Sequence, residues 1–207
     1  QIFNGRTILQ PTIRSGGVED AASGLVGRGL APGSYISIYG SGLSEVTKVF
    51  STGYLPLSLS NVSVSFDAPA QGISAPGRIH FVSDGQVNVQ IPWEFQGLNS
   101  VKMKVSIGNW SSGVYDIPLN EYSPGIFEYD DATSGRRLAA SLDQNYQVIS
   151  GANPVGKGDS AQLFVNGLGK TTNQPASGEV SPSENLSTTH AIPTVLIGGH
   201  NAPVQFS

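Results

Sequence analysis

Cysteine is absent from this chain. That one absence removes disulfides, thiolate metal sites and thiol nucleophiles together, and it leaves the redox compartment undetermined. Charge is sparse as well: 13% of the 207 residues are charged and the formal net charge is -4, so no basic stripe is available to neutralise a phosphate backbone and nucleic acid is not an expected partner. No apolar run reaches the roughly 18 residues that a membrane-spanning helix requires. Histidine occurs three times and no Gly-x-Ser-x-Gly elbow is present, so no nucleophile and base can be nominated. The chain therefore reads as a non-enzyme without a cofactor. It starts at Gln1 with no basic and apolar leader, which suits a mature secreted chain and an extracellular or cell-surface location.

What the chain does have is 26 glycines and 13 prolines, the composition of short elements joined by many turns. Alternating or β-branched runs bounded by Gly, Pro, Asn and Ser recur at 35–39 (YISIY), 61–66 (NVSVSF), 78–82 (RIHFV), 86–91 (QVNVQI), 101–107 (VKMKVSI) and 113–117 (GVYDI). In VKMKVSI the residues Val101, Met103, Val105 and Ile107 share one face and Lys102, Lys104 and Ser106 the other, a period-2 pattern that a helix cannot produce. Ser83-Asp84-Gly85 and the run 108–113 have hairpin chemistry. Strands at this spacing predict a sandwich.

In LNEYSPG (119–125), Pro124 stops strand pairing and Gly125 allows a turn, which places a domain boundary there. A second series of strands is expected at 126–129, 137–142, 146–149, 161–165, 194–197 and 204–206, and the polar stretch 169–191 between them reads as a mobile surface loop. The expected organisation is all-β: an N-terminal strand-like arm at 1–14 and two tandem immunoglobulin-like β-sandwich domains at 15–122 and 123–207. The two domains carry an internal repeat. GSYISIYGSGL (33–43) aligns with GDSAQLFVNGL (158–168), and NVSVSF and TVLIGG are each followed by an Ala-Pro pair and a strand reaching Phe81 or Phe206. The first copy then continues for about 35 residues, whereas the second stops.

Several patterns have a plainer reading beside a functional one. GANPVGKG (151–158) matches a phosphate loop until Gly158 stands where Ser or Thr should hold magnesium, and a strand follows it, so a turn is the better reading. His80, His190 and His200 lie far apart without a carboxylate cluster, and His80 falls on the polar side of its strand. Glu128, Asp130 and Asp131 are too few and too irregularly spaced for a calcium loop. Trp93 and Trp110 are candidates for sugar stacking, against capping of the sandwich. Asn61, Asn109 and Asn185 each open an Asn-x-Ser sequon, and the last two fall on expected loops, where an attached glycan is tolerated.

The run LAPGSYISIYGSGL, followed by GQVNVQIPWEF, YSPGIF and AASLDQNYQVISGANPVGKGDSAQLFVNGLG, resembles the tandem immunoglobulin-like (IPT/TIG-type) module at the C-termini of many secreted, mostly uncharacterised acidobacterial proteins. The resemblance spans roughly residues 16–207. It implies a β-sandwich fold and an extracellular setting, and it transfers no catalytic activity, ligand or functional residue. Members of that family follow the second Ala-Pro strand with a further segment similar to GQVNVQIP, which this chain lacks.

Upstream of the resemblance, QIFNGRTILQPTI (1–13) is strand-like and has no hairpin partner, with Ser15-Gly16-Gly17 as a flexible joint behind it. One spare strand and one unfinished sandwich predict strand addition. Ile2, Phe3, Ile8, Leu9 and Ile13 are the expected donor residues, and Leu163, Val165, Val195, Ile197, Val204 and Phe206 the expected acceptor groove. Insertion into a neighbouring copy is a head-to-tail contact that does not close on itself, so the expected partner is the chain itself, in a filament. The competing expectation is a surface binding or adhesion module that recognises glycan or protein through its loops.

Overall fold

A computed structural model describes residues 10–207 and, of the first nine, only the backbone of Ile2–Phe3 and Arg6–Thr7, which pair antiparallel, so the segment expected to be a strand without a hairpin partner holds a short hairpin of its own. The chain is all-β. Among the described residues helical geometry is confined to the 3-10 turns Pro69–Gln71 and Trp93–Phe95.

The first half consists of two antiparallel sheets around one core. The first sheet runs Thr12–Asp20, Tyr35–Ser41, Gln86–Gln90, Arg78–Val82 and Lys48–Val49. At the centre of the second lies Val62–Ala68, which pairs with Ser100–Ile107 along one edge and with Ser58–Leu59 and Ile73–Pro76 along the other. Ser100–Ile107 pairs in turn with Trp110–Ser111 and Tyr115–Pro118. The alternation of the sequence becomes burial here. Val101, Met103, Val105 and Ile107 turn inward while Lys102, Lys104 and Ser106 are less buried, and they share one cluster with Ile36, Ile38, Ile79, Val87 and Val89 of the opposing sheet. Phe66 and Phe95 lie within it with ring centroids 6.2 Å apart. The expected strands at 35–39, 61–66, 78–82, 86–91 and 101–107 are all present, and Ser83-Asp84-Gly85 does connect Arg78–Val82 to Gln86–Gln90.

Ser15-Gly16-Gly17 is not a joint. It forms a bulge inside the edge strand Thr12–Asp20, whose register with Tyr35–Ser41 shifts between Ile13 and Val18. Gly16 has φ of +64°, and a Cβ on Gly17 would stand 2.6 Å from the Tyr39 carbonyl oxygen, so the glycines serve close backbone approach. Ile13 opposite Gly40 is consequently a residue of the first sheet, packed against its core.

Beyond Leu119 the architecture changes. Residues 123–207 contain four two-stranded ladders: Gly125–Ile126 with Val165–Asn166, Glu128–Asp131 with Arg136–Ala139, Ser141–Asp143 with Ala161–Leu163, and Val195–Ile197 with His200–Ala202. The first three meet in a cyclic corner. Phe127 N–H donates to Phe164 O (2.9 Å), Phe164 N–H to Ala140 O (3.1 Å) and Ala140 N–H to Phe127 O (2.6 Å), so each of three strands changes partner at that residue. The expected strand at 146–149 is reduced to an isolated bridge between Leu142 and Val148. The strand expected at 204–206 lies instead at His200–Ala202, because Gly198 and Gly199 both take positive φ and turn the chain back tightly after Ile197.

The repeat shows how differently the halves are packed. Gly42 and Gly167 occupy the same repeat position and both adopt positive φ, +65° and +73°. Yet Ile36 and Ile38 are fully buried, whereas their counterparts Ala161 and Leu163 are exposed and half-buried. Val64 in NVSVSF is 1% exposed, whereas Ile197 in TVLIGG is 63% exposed. Every buried hydrophobic side chain among the described residues lies at or before Leu119. Phe66→Ala should therefore destabilise the first half by about 3–5 kcal/mol, whereas Ile197→Ala should stay within about 0.5 kcal/mol, as read by denaturant unfolding of the two variants.

Candidate functional site: an uncovered β surface on a polar joint

Without a hydrophobic core, residues 123–207 are held to the first half by polar contacts. The central one is the carboxylate of Asp20, 3% exposed. Its Oδ1 accepts from Ala22 N–H (3.0 Å), Ser23 N–H (2.7 Å) and Ser23 Oγ–H (3.0 Å), and its Oδ2 accepts from Asn166 Nδ2 at 2.7 Å. Asn166 also clasps the backbone of Tyr35 on both sides, donating from Nδ2 to its carbonyl (2.8 Å) and accepting its N–H at Oδ1 (3.0 Å). It thereby occupies the hydrogen-bonding edge of Tyr35–Ser41 as a strand would. Room for this is made by Gly125, where a Cβ would approach Asp20 Oδ1 to 2.3 Å. Nothing in the spacing of Asp20 and Asn166, 146 positions apart, signals their meeting.

The stretch 169–191 supplies the second attachment, and it is docked rather than mobile. Gly178 N–H donates to Gln90 Oε1 (2.7 Å) and Gly178 O accepts from Leu55 N–H (2.9 Å). Ser177 Oγ donates to Glu94 Oε2 (2.8 Å) and accepts from Trp93 N–H (2.9 Å). A segment poor in apolar residues reads as loose because apolar content is the usual signal of docking; here backbone groups and short polar side chains supply the attachment.

Of the expected donor residues, Ile8 and Leu9 lie outside the described residues, as do the side chains of Ile2 and Phe3. Ile13 pairs within its own chain, so its backbone is already committed to Gly40. The expected acceptor residues are spread over two ladders and the terminal segment. Leu163 and Val165 flank the three-strand corner and are half-buried, as is Val195 in the last hairpin. Val204 is half-buried outside any strand, and Ile197 and Phe206 are 63% and 59% exposed. Sequence reasoning missed Leu196 (61% exposed) and Phe164 (50%), two further uncovered apolar side chains of this half. The adjacency of apolar residues in TVLIGG is the signal that exposes them, since both faces of that strand carry a large side chain.

The remaining candidates are dispersed. Asn61, Asn109 and Asn185 are exposed; Asn61 and Asn185 sit at positive φ in tight turns. Trp110 pairs with Ile107 in a hairpin, whereas Trp93 packs on Gly33 in a cleft that Trp110 does not line, so the two form no common platform. His190 and His200 are exposed, while His80 lines the cleft, edge-on to Tyr35 with centroids 6.4 Å apart. The run 151–158 leads into the strand Ala161–Leu163 and is secured by carboxylates: Gly151 N–H donates to Asp131 Oδ2 (3.1 Å) and Gly156 N–H to Asp159 Oδ2 (2.7 Å). Glu128 is bridged to Arg137 at 3.0 Å.

Two carboxyls in this half titrate below the ordinary value of 3.8. Asp131 is held down chiefly by the Ser134 hydroxyl, then by the N–H groups of Ser134, Gly151 and Thr133, with desolvation opposing. Asp143 is held down first by Gln147 N–H, then by Asn153 Nδ2, with Asn145 N–H adding and desolvation opposing. A depressed folded value means that the stabilisation is complete above 3.8 and is lost as the pH falls through the lower, folded value. The amide proton shifts of Gly151 and Gln147 should therefore move in acid titration by NMR with midpoints below 3.8, as these hydrogen bonds weaken. Asn166→Ala should cost about 1–3 kcal/mol by leaving Asp20 Oδ2 buried without its donor. Limited proteolysis of that variant should cut within residues 123–207 while the first half stays resistant.

No model of a known protein family matches the chain, and no curated protein matches it in sequence.

Proposed function

We propose that the chain is a structural subunit of an extracellular filament, in which the second half of one copy is completed by the N-terminal segment of the next. The observation that carries this reading is the contrast between the two halves: Val64 in NVSVSF is 1% exposed, whereas Ile197 in TVLIGG is 63% exposed. An apolar strand surface left in water, beside strands paired along only one edge, is a template for a further strand. Main-chain hydrogen bonds supply the affinity of such an addition and alternate side chains its register.

In this reading the backbone pairing of Ile2–Phe3 with Arg6–Thr7 opens on insertion. Since Ile13 is paired with Gly40, the inserting residues are Ile2, Phe3, Ile8 and Leu9, ahead of the Thr12–Asp20 strand. That strand anchors the segment at an edge of the first half while the acceptor lies in the second half of the same chain. A contact between such different surfaces is heterologous, and repetition of it grows an open fibre. The extracellular setting rests on the resemblance to secreted immunoglobulin-like modules.

Electron microscopy and light scattering of the full chain beside a variant lacking residues 1–9 test the reading. Filaments are expected from the full chain and monomers from the variant; fibres that persist without the segment, or a full chain that stays monomeric, would overturn it. Ile8→Asp should block assembly equally well, since a charge entering the groove is desolvated without a partner, and should leave the melting temperature of the first half unchanged.

A further inference from the structure

The docked segment 175–181 and the first sheet enclose a half-open cleft of about 420 Å³. That lies within the range of about 300–1,000 Å³ typical of small-molecule sites. The proposed filament makes no use of it. Its aromatic lining comes from three places in the sequence: Tyr35 on the first sheet, Phe50 beside it and Trp93 in the 3-10 turn, with His80 edge-on to Tyr35. Glu179 and Ser181 of the docked segment and Ser51 and Thr52 of the first half also line it and supply hydroxyl and carboxylate groups.

We propose that this cleft binds a neutral saccharide, one or two rings at the end of a glycan. The chemistry of the wall selects that class. No Lys or Arg lines it, so it has no fixed cation to hold a phosphate or carboxylate. Its polar groups are too many for a lipid chain. A sugar ring offers an apolar C–H face to an aromatic side chain and hydroxyls around its rim, which matches a cleft lined by both aromatic rings and Glu, Ser and Thr side chains.

Two further features fit. Trp93, a lining residue, carries a buried Nε1–H with no acceptor among the described residues, an unmet donor that a small shift of the indole would bring to a ligand hydroxyl. Burial raises the Tyr35 hydroxyl above its usual value of 10.0, which keeps it a proton donor at any physiological pH. Glu179 itself is held by the segment, its Oε2 accepting from Ala176 N–H at 3.2 Å.

The chain has two tryptophans, so Trp110→Phe leaves Trp93 as the sole tryptophan reporter, excited selectively at the red edge where tyrosine does not absorb. Cellotetraose, laminaritetraose, maltotetraose and chitotriose are the probes. At least one is expected to change Trp93 emission saturably in the micromolar to millimolar range, and Glu179→Ala and Tyr35→Phe, each made in that background, should weaken the effect by roughly tenfold. No saturable change with any of the four, or a change that survives both substitutions at full strength, would overturn the proposal. The same titration on the variant lacking residues 1–9 separates it from the filament reading, because saccharide binding should persist there.

Discussion

The buried carboxylate of Asp20 is the constraint on which the relation between the two halves depends. A charge 3% exposed is tolerable only when it is fully hydrogen-bonded, and three of its four contacts come from the turn that follows it. The fourth comes from Asn166, in the other half of the chain. The same asparagine occupies the backbone edge of Tyr35, so a single side chain satisfies a buried charge and caps a sheet edge. Gly178 repeats the principle from the other side of the junction, with Gln90 and Leu55 as partners. Residues 123–207 are thus positioned by directional polar contacts, without the apolar burial that closes the first half.

This division of labour explains why the second half keeps its outward faces apolar. In the first half each sheet covers the other, and the alternating strands close a core from Val18 to Leu119. In the second half three strands turn about one another at Phe127, Ala140 and Phe164, and a separate hairpin carries Leu196 and Ile197. No opposing sheet covers these side chains among the described residues. The hydrogen-bonded joint holds Asn166 and Gly178 against the first half, and the docked segment around Gly178 is also one wall of the aromatic cleft.

Legibility in the sequence followed the type of force. The strands of the first half could be read from VKMKVSI, RIHFV and QVNVQI because burial on one face imposes period-2 alternation on the residues themselves. The strand expected at 204–206 was displaced to His200–Ala202 because two glycines tightened a turn, and turn geometry is a property of φ rather than of hydropathy. Ser15-Gly16-Gly17 reads as a hinge by composition and is a bulge in a strand, since glycine serves flexibility and close approach alike. The stretch 169–191 reads as loose for want of apolar residues and is attached through Gly178 and Ser177.

By itself the sequence determined the all-β class, the internal repeat and the list of apolar residues in the second copy, because alternation, turn residues and self-similarity are local properties of a chain. Tertiary structure alone decided which of those apolar residues are covered, that Asp20 meets Asn166, and that Tyr35, Phe50, His80 and Trp93 line one cleft. Those outcomes depend on contacts between residues as many as 146 positions apart, and hydrogen bonds over such separations leave no periodic trace in the order of residues.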